Sequence, residues 1–304
     1  MPTDRLPRGF DEMIATKALI FPPSTFEIGK SFKPRPSDVI ITPWSKSGTT
    51  WLQQIVHGLR SGGDMSFDDI SRVSPWIEVA NALGVDLDAD QGWEPRAFKS
   101  HYNYYSVPKG CRYIVSFREP HDVMVSYYRF YEGWLFEPGT VTIDQYVGFH
   151  LDRSKPKDYW THIESWWGNR DDPDTLLLSY ELMRKEPRAH VVLVADFLGI
   201  DADDELVDLV TSQSTREFML EHVDKFNDGM HRERSEAVGA LPPGAGATKV
   251  TAGDFDPDRY ILPPHILSTM DEHWREAMGA KHGIDSYDQL TEELRDRLGL
   301  GTAS

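Results

Sequence analysis

Hydrophobic and polar positions alternate along the chain in a way that separates strands from helices. Asp38-Val39-Ile40-Ile41-Thr42 is a short β-branched run that stops at Pro43, which predicts a buried strand. From Gly48 onward Trp51, Leu52, Ile55, Val56 and Leu59 recur three and four residues apart, which predicts a helix. Arg96 to His101 reads as another short strand ending in polar residues, and Arg112 to Phe117 as a longer one. Glu119-Pro120 then opens a helix carrying Val123, Met124, Val125 and Tyr127, with the proline suited to its first turn. Asp174 to Tyr180, with Leu176, Leu177 and Leu178, is a further strand. Pro187 starts a helix through Val191, Val194, Phe197 and Leu198 that Gly199 closes. Strands that alternate with helices predict an α/β fold, a central parallel sheet flanked by helices.

Other segments read as packing or solvation. Trp160, Trp166 and Trp167 fit the buried side of a helix, and Asp201 to Glu205 fits the negatively charged start of one. Gly239 to Gly253 has no period and is rich in glycine and proline, so it is expected to be a long loop, a candidate lid over a site. No repeat or linker divides the 304 residues, so a single domain over 1–304 is expected, with its core at about residues 38–285.

Composition narrows the partners. With 32 Lys and Arg against 49 Asp and Glu, the net charge of −17 disfavours nucleic acid and anionic membrane surfaces. No apolar run approaches the roughly 20 residues that span a bilayer, so no membrane insertion is expected. Charged residues interrupt any signal-like segment near the N-terminus, and a lone Cys111 permits no internal disulfide; both fit a reducing cytoplasm.

The candidate chemistry begins after the first strand. In Trp44-Ser45-Lys46-Ser47-Gly48-Thr49-Thr50-Trp51 a turn of small residues feeds a helix N-terminus, whose unpaired amides attract phosphate. Gly48 lets backbone approach the ligand, Thr49 and Thr50 supply hydroxyls, and Lys46 supplies a full charge, with Ser47 in the same cofactor-binding loop. The nucleoside-triphosphate loop, by contrast, needs Gly-Lys-[Ser/Thr], whereas Lys46 here precedes Gly48. Arg118, at the end of the Arg112–Phe117 strand, offers a planar fork for a second phosphate, and Ser126 adds a donor about two helical turns later. Open α/β sheets bind ligands at such strand ends. His101, at the end of its strand, carries an imidazole suited to taking a hydroxyl proton near neutral pH.

Lys46-Ser47-Gly48-Thr49-Thr50-Trp51 resembles the 5′-phosphosulfate loop of cytosolic-type sulfotransferases, which use 3′-phosphoadenosine 5′-phosphosulfate (PAPS). Tyr113 to Tyr128, with Ser116-Phe117-Arg118-Glu119-Pro120, resembles that family's 3′-phosphate motif. The likeness spans about residues 38–285. It implies a sulfotransferase fold with a P-loop-like nucleotide-binding core. It also implies transfer of the sulfuryl group of PAPS to the hydroxyl of a small acceptor by in-line displacement, leaving adenosine 3′,5′-bisphosphate and requiring no metal. Lys99-Ser100-His101 resembles the family's Lys-Thr-His segment, which makes His101 the base and places Lys99 near the transferring group.

The resemblance further implies that Trp51 stacks on adenine, that Arg118 and Ser126 hold the 3′-phosphate, and that Ser126 can hold Lys46 by a hydrogen bond. Tyr180 and Thr215 match nucleotide-contacting positions, with Arg216 where a phenylalanine is expected. Thr248-Lys249-Val250-Thr251-Ala252-Gly253-Asp254 matches the family's Arg-Lys-Gly segment at Lys249, Gly253 and Asp254. No dimerisation segment of the Lys-Thr-Val-Glu type stands near the C-terminus, so a homodimer is open but not predicted.

Competing readings are weaker. Asp86-x-Asp88-x-Asp90 begins like a calcium loop, but Gln91 stands where glycine is needed and Ala97 where glutamate is. No His-Glu-x-x-His and no Gly-x-Ser-x-Gly occurs. A Mg²⁺-dependent ATP-using phosphotransferase and a noncatalytic nucleotide-binding protein are the alternatives. The aromatic side chains of Tyr102, Tyr104, Tyr105, Phe130, Tyr131, Trp134 and Phe136 suggest an apolar or aromatic acceptor.

Overall fold

A computed structural model describes residues 4–153, 158–246, 249–250 and 260–301. The predicted strands appear as β1 (Val39–Ile41), β2 (Ala97–Lys99), β3 (Arg112–Phe117) and β4 (Thr175–Ser179). All pair in parallel, in the order β2-β1-β3-β4. Alternate residues along them face two different cores, as the two-residue strand period requires. Ile40, Phe98, Tyr113, Val115, Phe117 and Leu177 join a large aromatic cluster with Trp160, Trp166 and Trp167 of the Tyr159–Trp167 helix. Val39, Ile41, Ala97, Ile114 and Leu178 pack instead on Leu52, Ile55, Val56 and Leu59 of the Thr49–Ser61 helix and on Val191 and Val194 of the Pro187–Leu198 helix. Helices therefore cover both faces.

The start of the sheet is fixed by charge as well as burial. Asp38, just before β1, and Arg96, just before β2, form a bidentate pair at 2.7 and 3.0 Å, both essentially inaccessible to solvent. Helix boundaries follow their local signals. Pro120 and Pro187 sit in first turns, Gly199 closes its helix in a left-handed conformation, and Asp203 caps the Asp204–Gln213 helix. Ala240 and Leu241, at the start of the expected loop, are buried in the aromatic core. Among the described residues, no helix is long and apolar enough to cross a membrane.

The strand order creates the site. From β1 the chain moves to one neighbour, β2, then returns across β1 to pair on its other side as β3. The connections leaving β1 and β3 diverge there, and such a switch point leaves a crevice at the carboxyl ends of the strands.

Candidate active site

The loop between β1 and the Thr49–Ser61 helix turns through two left-handed residues, Lys46 at φ 68° and Gly48 at φ 100°. Lys46 is the non-glycine residue with positive φ among those described, a conformation side chains seldom adopt outside strained functional turns. At Gly48 a Cβ would lie 3.1 Å from Cδ2 of Tyr180 and 3.2 Å from Oγ of Ser116, so a side chain is excluded by both conformation and space. No side chain caps this helix, which leaves its first-turn amides for a ligand. Ser47 Oγ and Thr49 Oγ1 are buried without a hydrogen-bond partner among the described residues. The carbonyls of the same loop are occupied: Ser116 donates its hydroxyl to that of Ser47, and Arg118 Nη1 donates to that of Lys46 at 3.0 Å. Donors that are left over beside acceptors that are satisfied suit an anion.

Arg118 joins the two strand ends. Its guanidinium lies 4.6 Å from the centre of the Tyr180 ring, Nη2 is 3.5 Å from Asp122, and Nε is buried without a hydrogen-bond partner among the described residues. Arg118 thus combines a pairing with Asp122 and a contact with the Lys46 loop. Trp51 meets Tyr180 edge-on at 5.6 Å, and its indole nitrogen is also buried and unpartnered among the described residues. These orphaned donors fit a phosphorylated nucleoside. Thr50 is half-buried in the same first turn.

Ser126 is half-buried on the Pro120–Tyr131 helix. The Lys46 ammonium sits 4.0 Å from the ring centre of Phe130, one turn beyond Ser126, and no hydrogen bond joins Lys46 to Ser126 in this structure. Burial, with the neighbouring charge of Lys249, pushes Lys46 down to about 7.

His101 stands two residues beyond the end of β2. Its Nδ1 is 2.7 Å from the carbonyl oxygen of Pro43, which can only accept, so Nδ1 carries the hydrogen and Nε2 presents a lone pair. The ring is set by its backbone. The His101 amide donates to Glu78 Oε1 at 2.5 Å, and Ser100 Oγ donates to the same oxygen at 3.2 Å. Glu78 is fully buried and was not apparent in the sequence. A cavity of about 80 Å³ reaches His101 between Trp44, Tyr102, Asn103, Asp158 and His162. Lys99 is buried with its ammonium 4.1 Å from the Trp76 ring centre, and burial pushes it down to about 8.

A third group comes from far along the chain. Lys249 forms an ion pair with buried Asp228, which also faces His231. Lys249 thus stands at Asp228, within electrostatic reach of Lys99, His231 and Lys46. Asp228 and His231 were given no role by the sequence. Thr215 is exposed and caps the Arg216–Glu221 helix, its Oγ1 accepting from Phe218 N at 3.2 Å. Thr248 and Thr251 to Asp254 lie outside the described residues. The aromatic run divides: Tyr131, Trp134 and Phe136 belong to the core, Tyr105 is 67% exposed, and Phe130 lies against Lys46. Glu119, His121 and Asp122 bring three potential ligand atoms within 4.8 Å, but Glu119 caps the Asp122 amide and Asp122 faces Arg118.

Comparison with known proteins adds to this geometry. The family model described as "Sulfotransferase domain" matches residues 36–280. Sulfotransferase 1C2 of Rattus norvegicus is 31% identical over 205 residues, covering 64% of this chain and 69% of its own length. Sulfotransferase 1E1 of Bos taurus is 32% identical over 197 residues, covering 61% and 67%. Among solved structures, retinol dehydratase in complex with retinol and PAP superposes with a TM-score of 0.65 at 15% identity, covering 91% of this chain and 99% of that one. Mouse sulfotransferase SULT7A1 complexed with PAP gives 0.61 at 18% identity, covering 93% and 95%. These two establish the fold.

Proposed function

Because the chain belongs to the sulfotransferase family, we propose that it moves the sulfuryl group of PAPS to a hydroxyl of a small acceptor, with His101 as base. The observation that carries this reading is the convergence of Lys46 and Arg118 at one crevice, with His101 tied through Pro43 to the same loop. In this reading Ser47, Gly48, Thr49 and Thr50 receive the 5′-phosphosulfate on amides and hydroxyls. Arg118, with Ser126, takes the 3′-phosphate, and Trp51 and Tyr180 flank the base.

PAPS supplies a sulfuryl group on a phosphate leaving group. His101 Nε2 takes the acceptor proton as its oxygen attacks sulfur, and Lys46 with the first-turn amides stabilises the charge that grows on the departing phosphate oxygen. A sulfuryl oxygen carries less charge than a terminal phosphoryl oxygen, so lysine and backbone donors suffice where kinases recruit Mg²⁺. Lys99 faces the transferring group. Lys249 leaves Asp228 to join Arg118 at the 3′-phosphate, and Thr215 flanks the nucleotide. We read the chain as one domain over 1–304 acting in the cytoplasm, in keeping with its lone, buried thiol.

Thermal stabilisation tests the reading. Adenosine 3′,5′-bisphosphate should stabilise the protein without Mg²⁺, and labelled PAPS should then label a hydroxyl acceptor from a screened set. His101→Ala should lower kcat about 10²- to 10⁴-fold while leaving nucleotide affinity intact. Stabilisation by ATP with Mg²⁺ alone would replace the sulfotransferase with a phosphotransferase.

A further inference from the structure

The cavity that reaches His101 continues outward. Its deep walls include the buried side chains of Tyr102, Asp158 and His162, whereas Glu27 and Lys30 on its rim are exposed. Beyond that rim lies a second, more open hollow of about 500 Å³, and Lys30 and Ser106 belong to the walls of both. Two chain segments make the connection. The Pro23–Lys30 helix gives Glu27 to the cavity and Lys30 to the junction, and the chain after it gives Lys33 to the hollow. The segment after β2 runs the same way, from His101 and Asn103 in the cavity through Ser106 to Lys109 in the hollow. A molecule too long for the inner cavity of about 80 Å³ thus has its way out across Lys30 and Ser106.

Charge is sorted along this path. Lys30, Lys33 and Lys109 line the hollow and no acidic residue does, in a chain whose net charge is −17. Lys30 shares Glu27 at 2.8 Å in an exposed pair, while Lys33 and Lys109 make no ion pair among the described residues. The Lys109 ammonium rests 3.1 Å from the centre of the Tyr104 ring. Burial pushes it down to about 8, which leaves it charged at pH 7.

At the inner end the sign is reversed. Asp158 is 4% exposed, its Oδ1 accepts from Thr161 N at 2.7 Å, and it has no ion pair among the described residues. A buried carboxylate repels a second anion strongly, because little water screens it, and three ammonium groups at the outer end attract one. A molecule with one neutral and one anionic end is therefore oriented on entry, neutral end first.

We propose that the acceptor is an organic anion, a phenol or alcohol whose far end carries a carboxylate or sulfate. The hydroxyl enters toward His101, and the anionic group rests among Lys30, Lys33 and Lys109. This rests on the sulfotransferase reading above and specifies the class of its acceptor.

The test uses the full-length protein saturated with adenosine 3′,5′-bisphosphate at pH 7. Hydroxyphenyl-acetate, -propanoate and -butanoate, each with the hydroxyl para to the chain, are titrated by calorimetry against their primary amides, which match them in shape without the charge. At least one carboxylate should bind about tenfold more tightly than its amide at about 20 mM ionic strength, and that ratio should fall to about twofold at about 0.5 M, where charges open to solvent are screened. Lys33→Glu should bring the ratio toward one at low salt by weakening the carboxylate, with amide and nucleotide affinity unchanged within about twofold. Lys109→Ala should lower it in part, and Lys33→Arg should keep it. Phenol should compete with the carboxylate, since both place a ring in the inner cavity.

The proposal is overturned if no carboxylate outbinds its amide, if the ratio is the same at both ionic strengths, or if it survives both Lys33→Glu and Lys109→Ala. Failure of phenol to compete overturns it as well, because the anion would then sit on the lysines with no hydroxyl near His101. Variants that weaken the amide as much as the carboxylate mark a structural role and have the same consequence. A wild-type protein that takes up no adenosine 3′,5′-bisphosphate fails earlier, at the sulfotransferase reading itself.

Discussion

At the scale of single residues, the chemistry is set by where charge is buried. Lys46 is held down to about 7 and Lys99 to about 8, burial being the first cause for both. In the free protein Lys46 therefore loses its proton as pH rises through about 7, and Lys99 as it rises through about 8. A bound anion favours the charged amines and raises both values, so adenosine 3′,5′-bisphosphate should be taken up together with a proton. Its affinity should weaken as pH rises from 7 to 9. Calorimetry at pH 8 in two buffers of different ionisation enthalpy reads the proton directly, and zero uptake contradicts the assignment of Lys46. Glu78 accepts from the backbone of His101, the proposed base, and in that reading is a positioning residue. Glu78→Leu leaves the His101 amide and the Ser100 hydroxyl without their acceptor and should lower kcat by about tenfold or more with nucleotide affinity intact. Glu78→Gln, which keeps an accepting oxygen, should restore most of that activity if the role is positional.

At the scale of elements, local signals and packing agree over most of the sheet. The apolar run at 38–42 becomes β1, the alternation at 112–117 becomes β3, and Pro187 and Gly199 bound their helix as the capping rules require. Residues whose role depends on a neighbour in space were less legible. Arg96 carried no reading beyond opening the strand at 96–101, yet its guanidinium is buried against Asp38, some sixty positions away in sequence. Asp38→Asn would leave that guanidinium uncompensated at the joint between β1 and β2. It should cost about 3–5 kcal/mol in denaturant unfolding, the usual penalty for breaking a buried pair on one side. A loss below about 1 kcal/mol would mean that Arg96 finds other partners, such as the Leu87 carbonyl it already reaches at 3.0 Å. Thr215 shows the opposite case, where the local signal is sufficient: its hydroxyl caps a helix whatever else it contacts.

At the scale of the whole molecule, an acidic chain with a net charge of −17 gathers Lys46, Lys99, Arg118 and Lys249 around one crevice, with Asp228 among them. In the proposed reading a nucleotide there would bridge the ends of β1 and β3 and so stabilise the folded state by mass action. Adenosine 3′,5′-bisphosphate at about a hundred times its dissociation constant should add about 2.7 kcal/mol to unfolding, read as a concentration-dependent rise in Tm. A Tm that does not move with nucleotide concentration would place the anion site elsewhere.

The sequence by itself determined the α/β alternation, the small-residue loop at 44–51, Arg118 at a strand end and His101 beyond another, because these depend on spacing over one strand or one helical turn. Only the tertiary structure decided that Glu78 holds the His101 backbone, that Asp38 neutralises Arg96, and that Asp228 and His231 join Lys99 and Lys249. Those contacts link positions whose separation along the chain carries no period, and they form only when the strand order brings distant loops to the same edge of the sheet.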